Sequence, residues 1–348
     1  MTEEGAHRRA RRTVRVEDVA REAGVSPITV SRALSNPEKV KEETRRRVVD
    51  AVARTGYVVN RFASSLRSGR SSIVSVFVSN LQNQHFANAI QGCADAMEGS
   101  RYHLLMAQTG YSDKLQQDMV EQVLPFRPAA VMFTGIVQSE HTRSQLRSLG
   151  IPVMEMWDYR PDPIDMLVGF SNAEGGRLMG EHFGRRGFRR IAYAGRTEDR
   201  GAQRLAGFRN GLAAFGLGVD HVLPLEGKRT IVEGMAAFEQ IRRELPGCDA
   251  IFFGTDILAV GAMLQARHLD VAVPGEIAIA GYGDLEYSKQ LHTPLTTIHV
   301  ASYQMGLAAG KMLRQRLQHD EIAEHIVLSP IRLEARASTA NERQPASG

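Results

Sequence analysis

Residues 16–36, VEDVAREAGVSPITVSRALSN, constrain the fold most, because two helical repeats meet there at a single glycine. Apolar residues of the first repeat recur at the i, i+3, i+4 and i+7 spacing of one buried helix face, namely Val16, Val19, Ala20 and Ala23. Gly24 permits the sharp turn that ends this helix. The segment therefore predicts two short helices joined by a tight turn.

The second helix begins at Ser26 and Pro27. The Ser26 hydroxyl can accept a hydrogen bond from an unsatisfied N–H at the helix start, and Pro27 has the fixed φ that suits a first helical position. The inner face of this helix carries Val30, Ala33 and Leu34, and the outer face carries Ile28, Ser31, Arg32 and Ser35. An ordinary helix pair with a solvated outer face is the alternative interpretation.

The outer face has the composition expected of a helix that lies in a DNA major groove. Arg32 can form a bidentate hydrogen bond to guanine, worth about 1–3 kcal/mol of discrimination, and Ile28 can contact a thymine methyl group. We therefore predict a helix-turn-helix DNA-binding domain over residues 14–58. The residues predicted to contact DNA from this domain are Ser26, Pro27, Ile28, Thr29, Ser31, Arg32 and Lys39.

Charge is concentrated at the same end of the chain. Residues 1–70 carry 16 Lys and Arg against 9 Asp and Glu, whereas the remaining 278 residues carry 27 against 30. An excess of positive charge favours contact with nucleic acid. Residues 1–13 are expected to form a disordered basic arm with weak, salt-sensitive phosphate contacts. A third helix, predicted over Thr44–Thr55, presents Arg45, Arg46 and Arg47, which either reach phosphates or are solvated.

From Ser72 onward, short β-branched runs alternate with longer amphipathic stretches, a pattern typical of βαβ units and a parallel sheet. Predicted strands lie near 73–78, 103–107, 129–134, 190–194, 250–254 and 277–282, with late strands near 295–299 and 326–336. Residues 151–170 interrupt the alternation, which predicts two similar lobes between which the chain crosses more than once. The predicted fold class is α/β, with an all-α headpiece before a two-lobed core over residues 72–338. This core resembles regulators of the periplasmic-binding-protein type, which close on a small ligand between their lobes.

Other features exclude several classes of function. The 348 residues contain no run of eighteen apolar residues and no export signal, so we expect a cytoplasmic protein without a membrane partner. Cys93 and Cys248 fit no metal-site spacing and are expected to be packing residues in a reducing compartment. The segment GYGDLE at 281–286 lacks the G-x-G-x-x-G frame, and no other catalytic motif is present. We therefore expect neither an enzyme nor a cofactor nor a metal site.

The sequences DVAREAGVS and TVSRAL in the helix pair resemble the N-terminus of LacI-type (lactose/galactose) repressors. The resemblance implies a homodimer that places two headpieces on near-palindromic operator DNA. It also implies that Tyr57–Arg67 contributes to a hinge helix and linker over residues 59–71. The hinge residues that would contact DNA are Asn60, Arg61, Leu66 and Arg67, with Leu66 as a wedge in the minor groove. The segment SGRSS at 68–72 also fits a flexible linker, and the segment can be a hinge helix and a linker at different times.

The same resemblance places ligand contacts at the carboxyl ends of the strands. The segment RLAGF at 204–208 matches the family's effector arginine segment, so Arg204 is expected to hold a carboxylate or a pair of hydroxyls, with a surface ion pair as the alternative. Phe86 matches an aromatic residue that stacks on the ligand, or else packs in the core. Asp256 matches an aspartate at the start of a helix. It is expected to cap that helix and to accept a ligand hydroxyl, with capping alone as the alternative.

Members of this family that bind neutral sugars commonly read GYDD where this chain has Gly281, Tyr282, Gly283 and Asp284. Loss of that carboxylate favours an anionic ligand. The segments NQHFANAIQG, GYSDKLQQD, LGIPVMEMWD and VGFSNAEGGRLM resemble the gluconate-repressor branch, which implies a sugar-acid effector. The residues expected to contact it are Phe86, Tyr111, Glu155, Asp158, Asn172, Arg204, Asp256 and Tyr282.

Two other interpretations of the core remain open. In the first, the effector is a neutral pentose or hexose rather than a sugar acid. In the second, the chain is a sugar-binding protein without a regulatory role. The resemblance predicts that effector binding releases the operator, with corepression as the alternative. The C-terminal segment has no leucine heptad, which favours a dimer over a coiled-coil tetramer, and residues 339–348 are expected to be a disordered tail.

Overall fold

The computed structural model describes residues 14–58, 71–225, 229–319 and 321–340. The chain divides into two compact units, one ending at Arg70 and one beginning at Ser71. The predicted basic arm, nearly all of the predicted hinge and most of the predicted tail lie outside the described residues. The hinge residues Asn60, Arg61, Leu66 and Arg67 therefore remain predictions.

The first unit is a three-helix headpiece. Its helices are α1 (Val16–Ala23), α2 (Pro27–Ser35) and α3 (Glu42–Thr55), with a 3₁₀ turn over Pro37–Lys39. The apolar positions predicted from the helical period form one core, in which Val19, Ala20, Ala23, Val30, Ala33, Val48 and Ala51 are buried and Val16, Leu34 and Val52 pack against them. Gly24 has φ +62° at the end of α1, which confirms the predicted turn.

The helix ends differ in detail from the sequence prediction. Helix α1 begins after Arg15, whose side chain cannot cap a helix start, but the Asp18 carboxylate accepts the Arg15 backbone N–H at 3.0 Å. Helix α3 begins at Glu42, two residues before the predicted Thr44. Arg47 is exposed, but its Nη2 already donates to the carbonyls of Ala23 (2.5 Å) and Gly24 (3.2 Å). It thereby satisfies carbonyls at the end of α1 that have no helical partner.

The second unit contains two lobes. The first lobe has a six-stranded parallel sheet, among the described residues, in the order β11-β5-β4-β3-β1-β2. These strands are β1 (Ile73–Val78), β2 (His103–Gln108), β3 (Ala130–Phe133), β4 (Val153–Met156), β5 (Met166–Gly169) and β11 (Ile326–Leu328). The helices between them are α4 (Gln84–Ala96), α5 (Asp113–Val123), α6 (Glu140–Leu149) and the late α11 (Ser302–Gln318), which packs on α4.

The second lobe repeats this arrangement with the strand order β12-β10-β9-β8-β6-β7 among the described residues. Its strands are β6 (Ile191–Gly195), β7 (His221–Pro224), β8 (Ala250–Phe253), β9 (Ala278–Gly283), β10 (Thr296–Val300) and β12 (Ile331–Glu334). Strand β12 is antiparallel to β10, and the other pairs are parallel. Its helices are α7 (Asn172–Arg185), α8 (Asp199–Ala213), α9 (Ile231–Glu244) and α10 (Asp256–His268). No helix within the described residues is long and apolar enough to cross a membrane.

The structure corrects three features of the strand prediction. Residues 151–170 contain the buried strands β4 and β5 rather than an interruption, and β7 was not predicted at all. The late strand predicted over 326–336 is two strands that belong to different sheets, β11 in the first lobe and β12 in the second.

The predicted tail starts too early, because Thr339 is fully buried and its hydroxyl contacts His182 Nε2 and the Thr296 hydroxyl, both at 2.7 Å.

Close packing of α7 on α8 positions the residues that matter most for the site. A Cβ at Gly207 would lie 1.8 Å from the Ala173 carbonyl oxygen, and one at Gly176 would lie 2.0 Å from the Arg204 carbonyl oxygen. Only glycine allows the two backbones to approach so closely. Arg204 on α8 is thereby held beside Asn172 at the start of α7.

Candidate functional site

A cleft of about 730 Å³, which includes space open to solvent, lies between the two lobes of the second unit. Residues after the carboxyl ends of strands in both sheets line it, as is usual for parallel α/β sheets. The first lobe contributes His85, Phe86, Tyr111 and Trp157, and the second contributes Tyr193, Arg196, Arg200, Arg204, Arg229, Thr255 and Tyr282. The prediction of a cleft between lobes at the strand ends is therefore confirmed.

Arg204 is held by two hydrogen bonds and one ring. Its Nε donates to Asn172 Oδ1 at 2.9 Å, its Nη1 donates to the Gly254 carbonyl at 2.7 Å, and its guanidinium carbon lies 4.0 Å from the centre of the Tyr282 ring. These contacts fix the plane of the guanidinium in the cleft. A fixed guanidinium is a rigid fork that suits the two oxygens of a carboxylate.

Three further arginines line the same cleft. Arg200 lies over the Phe86 ring at 5.6 Å, and Arg229 and Arg196 lie over the Tyr111 ring at 4.3 and 5.3 Å. Burial, together with the neighbouring Arg204 and Arg229, lowers the pKa of Arg200 to about 10, against the opposing effect of Tyr111 and Asp158. The cleft therefore concentrates positive charge among aromatic rings.

The position of Gly283 is explained by His85. A Cβ at Gly283, where φ is +135°, would lie 2.2 Å from His85 Nε2. The imidazole thus occupies the space into which a side chain at position 283 would extend. Burial, followed by the charge of Arg204, lowers the pKa of His85 to about 4 although Asp284 opposes this, so the ring is neutral near pH 7.

Several polar atoms at the cleft are buried without a hydrogen-bond partner among the described residues, namely His85 Nε2, Thr255 Oγ1 and the Tyr282 hydroxyl. A buried polar group without a partner costs about 1–3 kcal/mol. Three of them around one cavity are the arrangement expected of a site that a polar ligand completes. Together with the arginines, they fit a ligand with hydroxyls and a negative charge.

The structure brings together four of the eight residues predicted to contact the ligand. Phe86, Tyr111, Arg204 and Tyr282 all line the cleft. Phe86 is also a core residue, because it is 1% exposed and packs edge-on against Trp157 with ring centres 4.9 Å apart. The two roles weighed for Phe86 are therefore compatible.

Asn172 and Asp158 lie one layer behind the cleft. Asn172 is fully buried, accepts from Arg204 and donates to the Trp157 carbonyl at 3.2 Å. The Asp158 carboxylate accepts from the Tyr159 backbone N–H and from Gln203, and burial raises its pKa. Asn172 thus orients Arg204, and Asp158 in turn accepts a hydrogen bond from Asn172 at 3.5 Å.

Glu155 and Asp256 have structural contacts for their carboxylates. Glu155 is fully buried and accepts from the backbone N–H groups of Val137 (2.8 Å) and Ile164 (2.7 Å), outside the residues that line the cleft. Asp256 is fully buried at the start of α10 and accepts from the Leu285 N–H and from two hydroxyls, those of Ser288 and Thr297. Their oxygens are already used by the protein.

The residues of the headpiece predicted to contact DNA lie at its surface. Ile28 is 67% exposed despite its apolar side chain, and Ser26, Pro27, Arg32 and Lys39 are also exposed, whereas Thr29 and Ser31 are half-buried. Ser26 caps α2 by accepting the Thr29 N–H at 3.2 Å. An apolar, solvent-exposed side chain beside an arginine is expected on a surface that meets base edges.

The sequence reasoning did not identify His85, Arg196, Arg200, Arg229 and Thr255 as cleft residues. A signal existed for Arg200, because it precedes Arg204 by four residues and so shares its helix face. No comparable signal existed for His85, because its role depends on the absence of a side chain at Gly283 on another element. Such a pairing becomes visible only in three dimensions.

Comparison with known proteins identifies the family. Residues 15–60 match the family described as bacterial regulatory proteins, lacI family, and residues 181–339 match a periplasmic binding protein-like domain. The HTH-type transcriptional regulator GntR of Escherichia coli K12 is 30% identical over 308 residues, 88% of this chain and 93% of that protein. The chain belongs to the LacI family.

Other LacI-family relatives agree over nearly the whole length. The GntR regulator of Pseudomonas aeruginosa is 32% identical over 328 residues, 93% of this chain and 95% of that protein. The crystal structure of a LacI-family regulator from Silicibacter pomeroyi has a TM-score of 0.87 at 28% identity and covers 94% of this chain and 99% of that chain. The lac repressor dimer bound to operator has the same fold, with a TM-score of 0.77 at 24% identity, over 94% of this chain and 99% of that one. This LacI-family chain is a DNA-binding transcriptional regulator with a mixed α/β core.

Proposed function

We propose that this regulator represses genes of sugar-acid catabolism and leaves a near-palindromic operator when a sugar acid occupies the cleft. The observation that carries the proposal is the charge of the cleft. Among the described residues that line it are four arginines and one carboxylate, that of Asp199. A cavity of this charge favours an anion over a neutral sugar.

The geometry around Arg204 supports a carboxylate as the group that is bound. Its Nε and Nη1 are used by the protein, which fixes the guanidinium and leaves its remaining N–H groups available to a ligand. Buried polar atoms of His85, Thr255 and Tyr282 can then meet hydroxyls along the sugar chain. The segments NQHFANAIQG and VGFSNAEGGRLM, which resemble the gluconate-repressor branch, favour the same ligand class.

A neutral pentose or hexose is the second candidate effector. A carboxylate with oxygens available to accept sugar hydroxyls would favour a neutral sugar, and Asp256 is the residue expected from the sequence to supply one. Asp256, however, already accepts hydrogen bonds from Leu285, Ser288 and Thr297. The balance of charge and acceptors therefore supports the sugar acid.

Calorimetric titration of the full chain tests the ligand class. We expect gluconate to bind the wild type and glucose and ribose not to bind at the same concentrations. Arg204→Gln should weaken gluconate binding at least tenfold, because a charge-assisted hydrogen bond is worth roughly 1.5–3 kcal/mol. Arg209→Gln is the matched control, since Arg209 is an exposed arginine on the same helix α8. Binding of a neutral sugar with no heat from any sugar acid would show that the proposal is wrong.

We also propose that the regulator is a homodimer. Strand β2 is an edge strand of the first sheet and exposes Leu105 and Met106, each 53% exposed, and Leu115 of the following helix is 55% exposed. An apolar edge of this kind is a hazard unless another chain covers it. Sedimentation equilibrium should give the mass of two chains at micromolar concentration. A monomer under those conditions would refute the dimer.

A further inference from the structure

We propose that the preferred effector carries two separated anionic groups: a sugar acid with a carboxylate at one end and a second anion, a phosphate or another carboxylate, at the other. This inference rests on the proposed function and adds a second binding site to it. It concerns Arg229 and Tyr111, residues that a single carboxylate on Arg204 leaves without a role.

The first argument is the number of arginines without a matching carboxylate. Arg196 is the arginine of the cleft that forms ion pairs, with Asp199 at 2.8 Å and Glu198 at 3.4 Å. Among the described residues, Arg200, Arg204 and Arg229 have no carboxylate oxygen within 4 Å. One carboxylate of a ligand neutralises one of these three charges. A second anion is needed before the positive charge of the cleft is largely balanced.

The second argument is that the arginines are held at different places. Arg204 lies against Tyr282, which belongs to strand β9 of the second lobe, whereas Arg229 lies against Tyr111, which follows strand β2 of the first lobe. The Tyr282 ring orients Arg204, and the Tyr111 ring orients Arg229, with Arg196 farther from the same ring. The cleft therefore offers guanidinium groups held against two tyrosines that belong to opposite lobes.

The third argument is space. A second cavity of about 1140 Å³, open to solvent, adjoins the cleft and shares Asn83, His85, Tyr111, Arg229, Thr255 and Tyr282 with it. Arg229 lines both cavities, whereas Arg204 lines the first cavity and not the second. A ligand whose carboxylate contacts Arg204 can thus extend outward past the unpartnered polar atoms and end at Arg229.

The electrostatics of the cleft residues agree with this arrangement. Burial and the charges of Arg196 and Arg204 lower the pKa of Arg229, although Tyr111 opposes this. Arg200 is affected in the same way by Arg204 and Arg229. Like charges in a partly desolvated cavity repel one another, and two bound anions would relieve that repulsion at both ends.

Titration calorimetry of the full chain at about 0.15 M salt tests the inference with four probes. Gluconate carries one carboxylate, glucarate carries two, 6-phosphogluconate carries a carboxylate and a phosphate, and glucose 6-phosphate carries a phosphate alone. We expect glucarate, 6-phosphogluconate or both to bind at least tenfold more tightly than gluconate and glucose 6-phosphate. Which of the two dianions binds more tightly identifies the second anion.

Variants locate the second anion. Arg229→Gln should weaken binding of the preferred dianion at least tenfold and binding of gluconate less than threefold. Arg204→Gln should weaken binding of all three sugar acids, and the exposed Arg209→Gln should change none. Equal affinity for gluconate and both dianions, glucose 6-phosphate that binds as tightly as the preferred dianion, or equal losses of gluconate and dianion affinity in Arg229→Gln would overturn this inference while leaving the proposed function intact. Failure of every sugar acid to bind would instead refute the proposed function.

Discussion

At the scale of single residues, the cleft depends on pairs that the sequence places far apart. Arg204 is fixed by Asn172, which lies on another helix, and Gly283 makes room for His85, which lies in the other lobe. The resemblance of RLAGF identified Arg204 correctly as a cleft residue. It did not reveal that Asn172 orients Arg204, because the distance between their side chains follows from how α7 packs on α8.

Histidine 182 gives a prediction about pH. It is 5% exposed, contacts the Thr339 hydroxyl at 2.7 Å, and burial followed by the charges of Arg186 and Arg185 lowers its pKa to about 4. In the unfolded chain the pKa of histidine is about 6.5, so the unfolded state binds more protons between those values and stability falls as the pH falls through 6.5. We expect a loss of about 2 kcal/mol from this residue between pH 8 and pH 5.

Urea unfolding at pH 8 and pH 5 measures the effect. His182→Gln should reduce the difference in unfolding free energy between the two pH values by about that amount, while a contribution from His85, whose pKa is lowered likewise, should remain. An unchanged pH dependence in His182→Gln would show that the pKa of His182 is not lowered by folding and would contradict this prediction.

At the scale of elements, periodicity predicted the headpiece helices well and the strands of the core unevenly. The headpiece helices followed from the spacing of Val19, Ala20, Val30 and Val48, all of which are buried. Strands β4, β5 and β7 each span four residues, and β4 and β5 are buried at every position, so a period of two does not appear in them. Strands β3 and β8 have the same length but were predicted from their continuous apolar runs. The pairing of β11 and β12 with different sheets depends on distant strands and has no local signal.

Helix α2 is the element whose role can be tested most simply. Arg32→Ala should remove sequence preference worth about 1–3 kcal/mol at one base pair, because the arginine is expected to hydrogen-bond to a base edge. Arg46→Ala is the comparison, since Arg46 is exposed on α3 and pairs with Glu42. It should weaken binding to all sequences alike. Anisotropy titrations with operator and scrambled DNA at two salt concentrations separate the two effects. Equal loss for both DNAs in Arg32→Ala would contradict the recognition role.

At the scale of the whole molecule, the chain passes between the two lobes of the second unit more than once. It crosses between β5 and α7, between β10 and α11, and between β11 and β12, so neither lobe is a continuous stretch of sequence. The sequence indicated this arrangement but placed the crossings only coarsely. Because three segments of the chain join the two lobes, the lobes can close on a ligand and remain attached to each other. Closure of this kind is the motion that the proposed release of DNA requires.

The central claim couples the cleft to DNA binding, and one measurement tests it most directly. Fluorescence anisotropy with an operator selected from genomic fragments should show a complex that the best-binding sugar acid weakens about tenfold or more, a usual size for coupling between sites. Arg204→Gln should bind the same operator and lose the response to the sugar acid. A sequence-specific complex whose affinity no sugar acid changes, in wild-type protein that binds the sugar acid by calorimetry, would contradict the account.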